Sequence, residues 1–278
     1  KRMYQPAESG DAPAAFTAKQ YLPLRGRPLL YYSLKAFEES FVDEILLVVG
    51  KGEEAHCRRE IVEKYGFRKV RDVIAGGKER YHSVAYALRH IVKERGGENT
   101  DMQAPEDAEK DMSAQEPTAK LEAAKQEQPE TYVYIHDGAR PFVTEEILER
   151  LRDTVLSGDA CIAAVPVKDT IKIADAEAFE TETPDRKTLY AAQTPQVFPL
   201  VWIHEAYEEL LAREEREEAA AKADASGKQA LPYVTDDAEV LRLFTGRRVK
   251  LVEGSYENIK VTTPEDMKIA EALFHERR

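Results

Sequence analysis

The chain has 278 residues, with 52 acidic side chains against 40 basic ones and a formal charge of -12. That length supports one large α/β domain with insertions, and the acidic balance argues against a role as a nucleic-acid binder, so phosphate chemistry must rest on local basic residues. Cys57 and Cys161 belong to no Cys-x-x-Cys pair, and no apolar run approaches the roughly 20 residues of a membrane helix or forms a signal peptide. The expectation is a cytoplasmic protein with no disulfide framework, zinc knuckle, membrane or nucleic-acid partner.

Residues 1–20 are polar and aperiodic and read as a loop closed by Lys19. Pro28 starts a helix whose apolar face carries Leu30, Leu34, Phe37 and Phe41. A buried strand is expected over Glu44–Val49, a helix over Glu53–Tyr65 and a strand over Lys69–Ile74. The pair Gly76-Gly77 then permits close backbone approach ahead of a helix carrying Val84, Leu88 and Ile91. Residues 98–130 hold ten acids, three bases, three prolines and no aromatic residue, which predicts a disordered acidic insert carrying -7 of the total charge.

Tyr132-Val133-Tyr134-Ile135 shows no polar alternation and predicts a strand buried on both faces, running into His136-Asp137-Gly138-Ala139-Arg140-Pro141. Ligands of open α/β sheets collect beyond the carboxyl ends of strands, so Asp137 stands at the expected rim of a site, on a turn that Gly138 permits. Thr144 is expected to cap a helix carrying Ile147, Leu148, Leu151 and Val155, followed by a strand over Cys161–Val165. A β-rich excursion then covers Val167 to Ile173 and Lys187 to Ala191. Leu200 to Leu211 reads as a helix that the run 212–230 extends or frays. Thr235-Asp236-Asp237 starts another helix, Val249–Val252 and Asn258–Thr262 read as strands, and Thr263-Pro264-Glu265-Asp266 opens the last helix.

The segments Lys19-Gln20-Tyr21-Leu22, Gly76-Gly77-x-x-Arg80-x-x-Ser83-Val84, His136 to Pro141, Val167-Lys168-Asp169-Thr170, Gln193-Thr194-Pro195-Gln196-x-Phe198, Thr235-Asp236-Asp237 and Glu253-Gly254-x-x-x-Asn258-Ile259-Lys260-Val261-Thr262 occur in this order. Together they resemble the 2-C-methyl-D-erythritol 4-phosphate cytidylyltransferase family of the non-mevalonate isoprenoid pathway, along nearly the whole chain outside 98–130 and 212–230. The resemblance implies a single Rossmann-like nucleotidyltransferase domain over 1–278, with helices on both sheet faces. It also implies a β-arm at 167–191 that embraces a second subunit, hence a homodimer. Of the family's Ala-Ala-Gly-x-Gly-x-Arg-Met loop only Lys1-Arg2-Met3 falls within the sequence, so the family's first strand and the loop's glycines are expected upstream of Lys1.

The implied reaction moves a cytidylyl group from CTP to a sugar-alcohol phosphate, releasing pyrophosphate, with magnesium (Mg2+) held mainly by nucleotide phosphates. By the same resemblance Arg2 and Lys19 stabilise the transition state, while Arg186 and Lys260 orient the acceptor phosphate. Gly76, Gly77, Arg80 and Ser83 line the nucleotide pocket, Asp137 faces ribose or magnesium with Ala139 leaving room beside it, and Thr170 and Thr194 offer hydroxyls to the acceptor. The motifs also fit a ribitol-5-phosphate cytidylyltransferase, and an inactive nucleotide-binding regulator is the alternative of another class. A nicotinamide dehydrogenase is disfavoured, because no Gly-x-Gly-x-x-Gly follows a visible strand.

Overall fold

The computed structural model describes residues 19–96, 131–222 and 234–276. Arg2, nearly all of the 1–20 loop, the insert at 98–130 and the distal part of the run 212–230 lie outside them.

After one 3-10 turn, Lys19–Tyr21, the chain makes a tight hairpin of β1 (Pro23–Leu24) and β2 (Arg27–Pro28). Its two turn residues, Arg25 and Gly26, both have positive φ, the geometry that matches a two-residue turn to strand twist. Helix α1 (Leu29–Glu38) follows with Pro28 at its N-cap. Phe41, expected on its apolar face, lies beyond its end.

Strand β3 (Ile45–Val49) pairs in parallel with β4 (Val70–Ala75) across α2 (Glu54–Cys57) and its π-helical continuation Arg58–Glu63. Helix α3 (Arg80–Gly96) precedes β5 (Tyr132–Ile135), and α4 (Glu145–Leu156) precedes β6 (Ala160–Pro166). Thr144 occupies the N-cap of α4 with extended backbone, but its side chain makes no capping bond. The hairpin β7 (Ile173–Ala174) and β8 (Glu180–Glu182) leads through the turn Arg186–Thr188 into the long β9 (Tyr190–Pro199). Helices α5 (Leu200–Lys222) and α6 (Asp237–Thr245), strand β10 (Val249–Glu253) and helix α7 (Pro264–Glu276) complete the order. Asn258–Thr262 is not a strand; it is an extended segment that Val261 N–H ties to Ala139 C=O at 2.8 Å.

The main sheet runs β10-β6-β9-β5, with β10 parallel to β6 and β9 antiparallel to both its neighbours. Alternate β6 residues serve opposite faces, as a period of two requires. Ala160 and Ile162 pack with Leu88 of α3, Ile203, Tyr207 and Leu210 of α5, and Leu241 of α6. Cys161 and Ala163 pack with Phe37 of α1 and with Ile147, Leu148 and Leu151 of α4. Burying each of those α4 side chains contributes roughly 1.5–3 kcal/mol. This is the expected α/β Rossmann-like architecture, helices covering both faces of a mixed sheet.

The β3–β4 pair and the main sheet face each other across a cavity of about 860 Å3, lined on one side by Ile45–Val49 and on the other by Tyr132–Ile135. As expected, both faces of β5 are covered, Val133 and Ile135 packing on the α3/α5 side and Tyr132 and Tyr134 on the α1/α4 side; the exposure it keeps lies at the edge away from β9, which borders that cavity.

Candidate active site

The cavity opens at the carboxyl ends of β3, β4 and β5, where Gly50, Gly76, Gly77, Arg80, Ser83, Asp137, Ala139, Lys19 and Lys260 line it. Eight of the twelve expected site residues thus meet at one place. Thr194 lies immediately behind Asp137, whereas Thr170 and Arg186 stand exposed on the excursion, Arg186 donating to Lys168 C=O at 2.9 Å. Arg2 is outside the described residues.

The glycine pair is required by close approach. A Cβ on Gly76 would stand 2.7 Å from Ser83 Oγ, and one on Gly77 would overlap the His82 side chain at 2.4 Å. Gly76 N–H donates to Val49 C=O and Gly77 N–H to Ser83 Oγ, so the loop is drawn onto the first turn of α3. That helix presents its N-terminus to the cavity, a setting that favours anions.

Asp137 is the electrostatic centre. Lys260 Nζ lies 2.8 Å from its Oδ2, Arg140 Nε 3.6 Å from Oδ2 and Arg80 Nε 3.7 Å from Oδ1. Burial alone would raise the carboxyl's pKa, but Lys260 and then Arg80 outweigh it and hold it at about 2. Lys19 titrates below the ordinary lysine value, first because it is partly buried and next because Lys260 repels it. Burial likewise depresses Arg140. Lys19, Arg80, Arg140 and Lys260 surround Asp137, and even with Asp237 pairing Arg80 from behind they leave a local excess of positive charge in a chain that is acidic overall.

A buried hydrogen-bond frame holds this centre, and its members come from the quoted motifs. Arg140 C=O can only accept, so His136 Nε2 carries the proton and donates to it at 3.2 Å, leaving Nδ1 to accept the Thr194 hydroxyl at 3.0 Å. The Thr194 oxygen in turn accepts Asp137 N–H at 3.0 Å. Arg140 donates to Asn258 C=O at 2.8 Å, and Asn258 Nδ2 donates to Thr194 C=O at 2.9 Å. Gln193 bridges Ser255 with its amide, and a Cβ on Gly254 would collide with that amide at 2.4 Å. The motifs include Gln193, Asn258 and Arg140 without giving them roles, and no local pattern marks them as members of the frame.

His136 is half-buried, and its removal from water lowers its pKa to about 4. The unfolded chain binds that proton near 6.5, so between pH 6.5 and 4 the unfolded state holds more protons and stability falls as pH falls. From pH 6.5 to 5 this histidine should remove about 1.6 kcal/mol. Urea unfolding at both pH values should show that loss in the wild type and a shallower slope in His136→Gln; equal slopes would contradict a neutral imidazole.

Among the described residues, no cluster of three or more His, Cys, Asp or Glu side chains could hold a metal ion. None of the described helices is long and apolar enough to cross a membrane.

A family model for 2-C-methyl-D-erythritol 4-phosphate cytidylyltransferase matches residues 5–98 and 111–276. The enzyme of that name from Lachnospira eligens is 42% identical over 253 residues, covering 91% of this chain and 88% of that protein. The one from Lachnoclostridium phytofermentans is 36% identical and covers 98% of this chain and 94% of its own length. Among solved structures, 4-diphosphocytidyl-2C-methyl-D-erythritol synthase from Anaerococcus prevotii superimposes with a TM-score of 0.65 at 29% identity, covering 91% of this chain and 88% of that one.

Proposed function

Because the chain belongs to the 2-C-methyl-D-erythritol 4-phosphate cytidylyltransferase family, and transfers a cytidylyl group from CTP to that acceptor in isoprenoid precursor synthesis, we propose that the Asp137 cavity is its active site. The observation that carries this reading is the convergence of Lys19, Lys260, Arg80 and Arg140 on one ionised carboxylate beside a glycine pair and a helix N-terminus.

An acceptor phosphate oxygen attacks the α-phosphorus of CTP, forming a new P–O bond, while the bond to the β-phosphate oxygen breaks and pyrophosphate leaves with its electrons. No proton need move. The chain's task is to bring two anions together and to neutralise the charge that grows on the five-coordinate phosphorus. Lys19, with Arg2, supplies that charge at the transferring phosphoryl group. Bound phosphate turns the repulsion between Lys19 and Lys260 into shared attraction. Gly76, Gly77, Arg80 and Ser83 wall the nucleotide, and Ala139 keeps the turn close.

Asp137 is the protein carboxylate suited to magnesium, and a single ionised oxygen donor fits an ion that keeps most of its ligands as water and phosphate. When bound, that ion would neutralise the triphosphate. Thr194 acts through Asp137, whose backbone it holds.

Lys260 orients the acceptor phosphate together with Arg186. In this chain Arg186 stands outside the cavity, which supports the view that the 167–191 arm crosses a two-fold axis and serves the other subunit of a homodimer. This reading takes the site of action to be cytoplasmic.

Pyrophosphate release tests the specificity of this site. Backbone groups around the glycine pair would read one base edge, so kcat/KM for CTP should exceed that for UTP by roughly a hundredfold or more, since a mismatched edge leaves buried polar groups unpaired. Methylerythritol phosphate should likewise outpace ribitol 5-phosphate. Equal turnover of CTP and UTP would show that the pocket does not read the base.

A further inference from the structure

Asp237, the first residue of α6, is completely buried although it is a carboxylate. Arg80 grips it with both terminal nitrogens, Nη1 to Oδ1 at 2.8 Å and Nη2 to Oδ2 at 2.7 Å, and the buried Tyr207 hydroxyl donates to Oδ1 at 2.5 Å. The fork of Arg80 is therefore spent on Asp237, away from the cavity. Only its Nε edge addresses Asp137, at 3.7 Å. Beyond Asp137 stands Lys260, so an alternating row of charges runs from the core to the cavity: Asp237, Arg80, Asp137, Lys260.

We propose that Asp237 is a positioning residue for cytidylyl transfer, holding the Arg80 fork so that Asp137 remains free to pair with Lys260 and, in the loaded enzyme, to meet the nucleotide. This rests on reading the Asp137 cavity as the nucleotide site. The physical reason is competition. Two carboxylates share the surrounding cations, and a planar guanidinium makes a bidentate pair wherever a carboxylate is offered. Without the charge on Asp237, the nearest carboxylate to the Arg80 fork is Asp137. Turning toward it would close Arg80 over the nucleotide wall and displace Lys260 from its oxygen.

The position of Asp237 is itself fixed. Asp236 beside it caps α6 by accepting Glu239 N–H at 2.9 Å, and Gln196 locks the turn by donating to Asp236 Oδ2 at 2.9 Å and accepting Ala238 N–H at 2.9 Å. Burying a carboxylate against an arginine that stays partly exposed gives little stability for its cost, so stability alone is a weak reason for placing this pair in a nucleotide wall.

The test is a double-mutant cycle on the full-length protein, with kcat and separate KM values for CTP and the acceptor. Arg80→Ala should weaken kcat/KM for CTP by about tenfold or more, and Asp237→Asn should do nearly the same. In the Arg80→Ala background, Asp237→Asn should add less than about twofold, because its effect passes through Arg80. Tyr207→Phe, which keeps the ion pair and removes one hydrogen bond, should shift the CTP parameters in the same direction and by less; it carries the cycle if Asp237→Asn does not fold. A lower melting temperature with unchanged CTP parameters in Asp237→Asn and Tyr207→Phe, or fully additive effects, would overturn the proposal and leave Asp237 a structural residue. If Arg80→Ala itself leaves the CTP parameters unchanged, the nucleotide site has been misplaced and the proposal falls with it.

Discussion

Lys19→Ala is expected to reduce kcat by about a hundredfold or more while changing the acceptor KM little, because a charge aimed at the transferring phosphoryl group matters most when negative charge accumulates there. The environment of Lys19 supports a large effect. Partial burial and the nearby Lys260 both disfavour its protonated form, and the energy of holding two cations together is released once a triphosphate lies between them. Lys19→Arg should recover only part of the rate, since a planar fork does not reproduce a compact ammonium on a phosphate oxygen. Steady-state pyrophosphate release at saturating CTP makes the distinction. An unchanged kcat with a raised acceptor KM would move Lys19 to the acceptor's side of the site.

Much of this site was legible before the fold was seen, for a physical reason. Strand ends, glycine pairs and capping residues act locally, so Asp137 at the end of β5, Gly76-Gly77 ahead of α3 and the Thr263-Pro264 start of α7 could be placed from spacing alone. Asp266 closes the last of these by accepting from Thr262 and Thr263. Local signals misled where tertiary contact decided. Asn258–Thr262 reads as a strand because Ile259, Val261 and Thr262 are β-branched, yet it joins no ladder: the Asn258 and Ile259 N–H groups turn back to Ser255 and Glu257, and Val261 N–H bonds Ala139 C=O.

The frame behind the site was not legible, because it joins residues far apart in the chain. Arg80 meets Asp237 and Thr194 meets His136 across spans that no local pattern encodes. The motifs named these residues without distinguishing those that face substrate from those that hold the ones that do. Arg80 shows the difference: its sequence position suggests a ligand contact, whereas its fork points inward.

The shared site remains the central claim, and it predicts that two inactive variants will rescue each other. Lys19 lines the cavity of its own chain and Arg186 does not, and under the proposed dimer each site takes Lys19 from one subunit and Arg186 from the other. Lys19→Ala and Arg186→Ala, unfolded and refolded together in equal amounts, form about half mixed dimers, and each mixed dimer carries one site with both residues intact. Roughly a quarter of wild-type activity should then return, with the mixed dimers counted by mass. A mixture with mixed dimers present but no more activity than its components would contradict the account, since every site would then draw both residues from the same subunit.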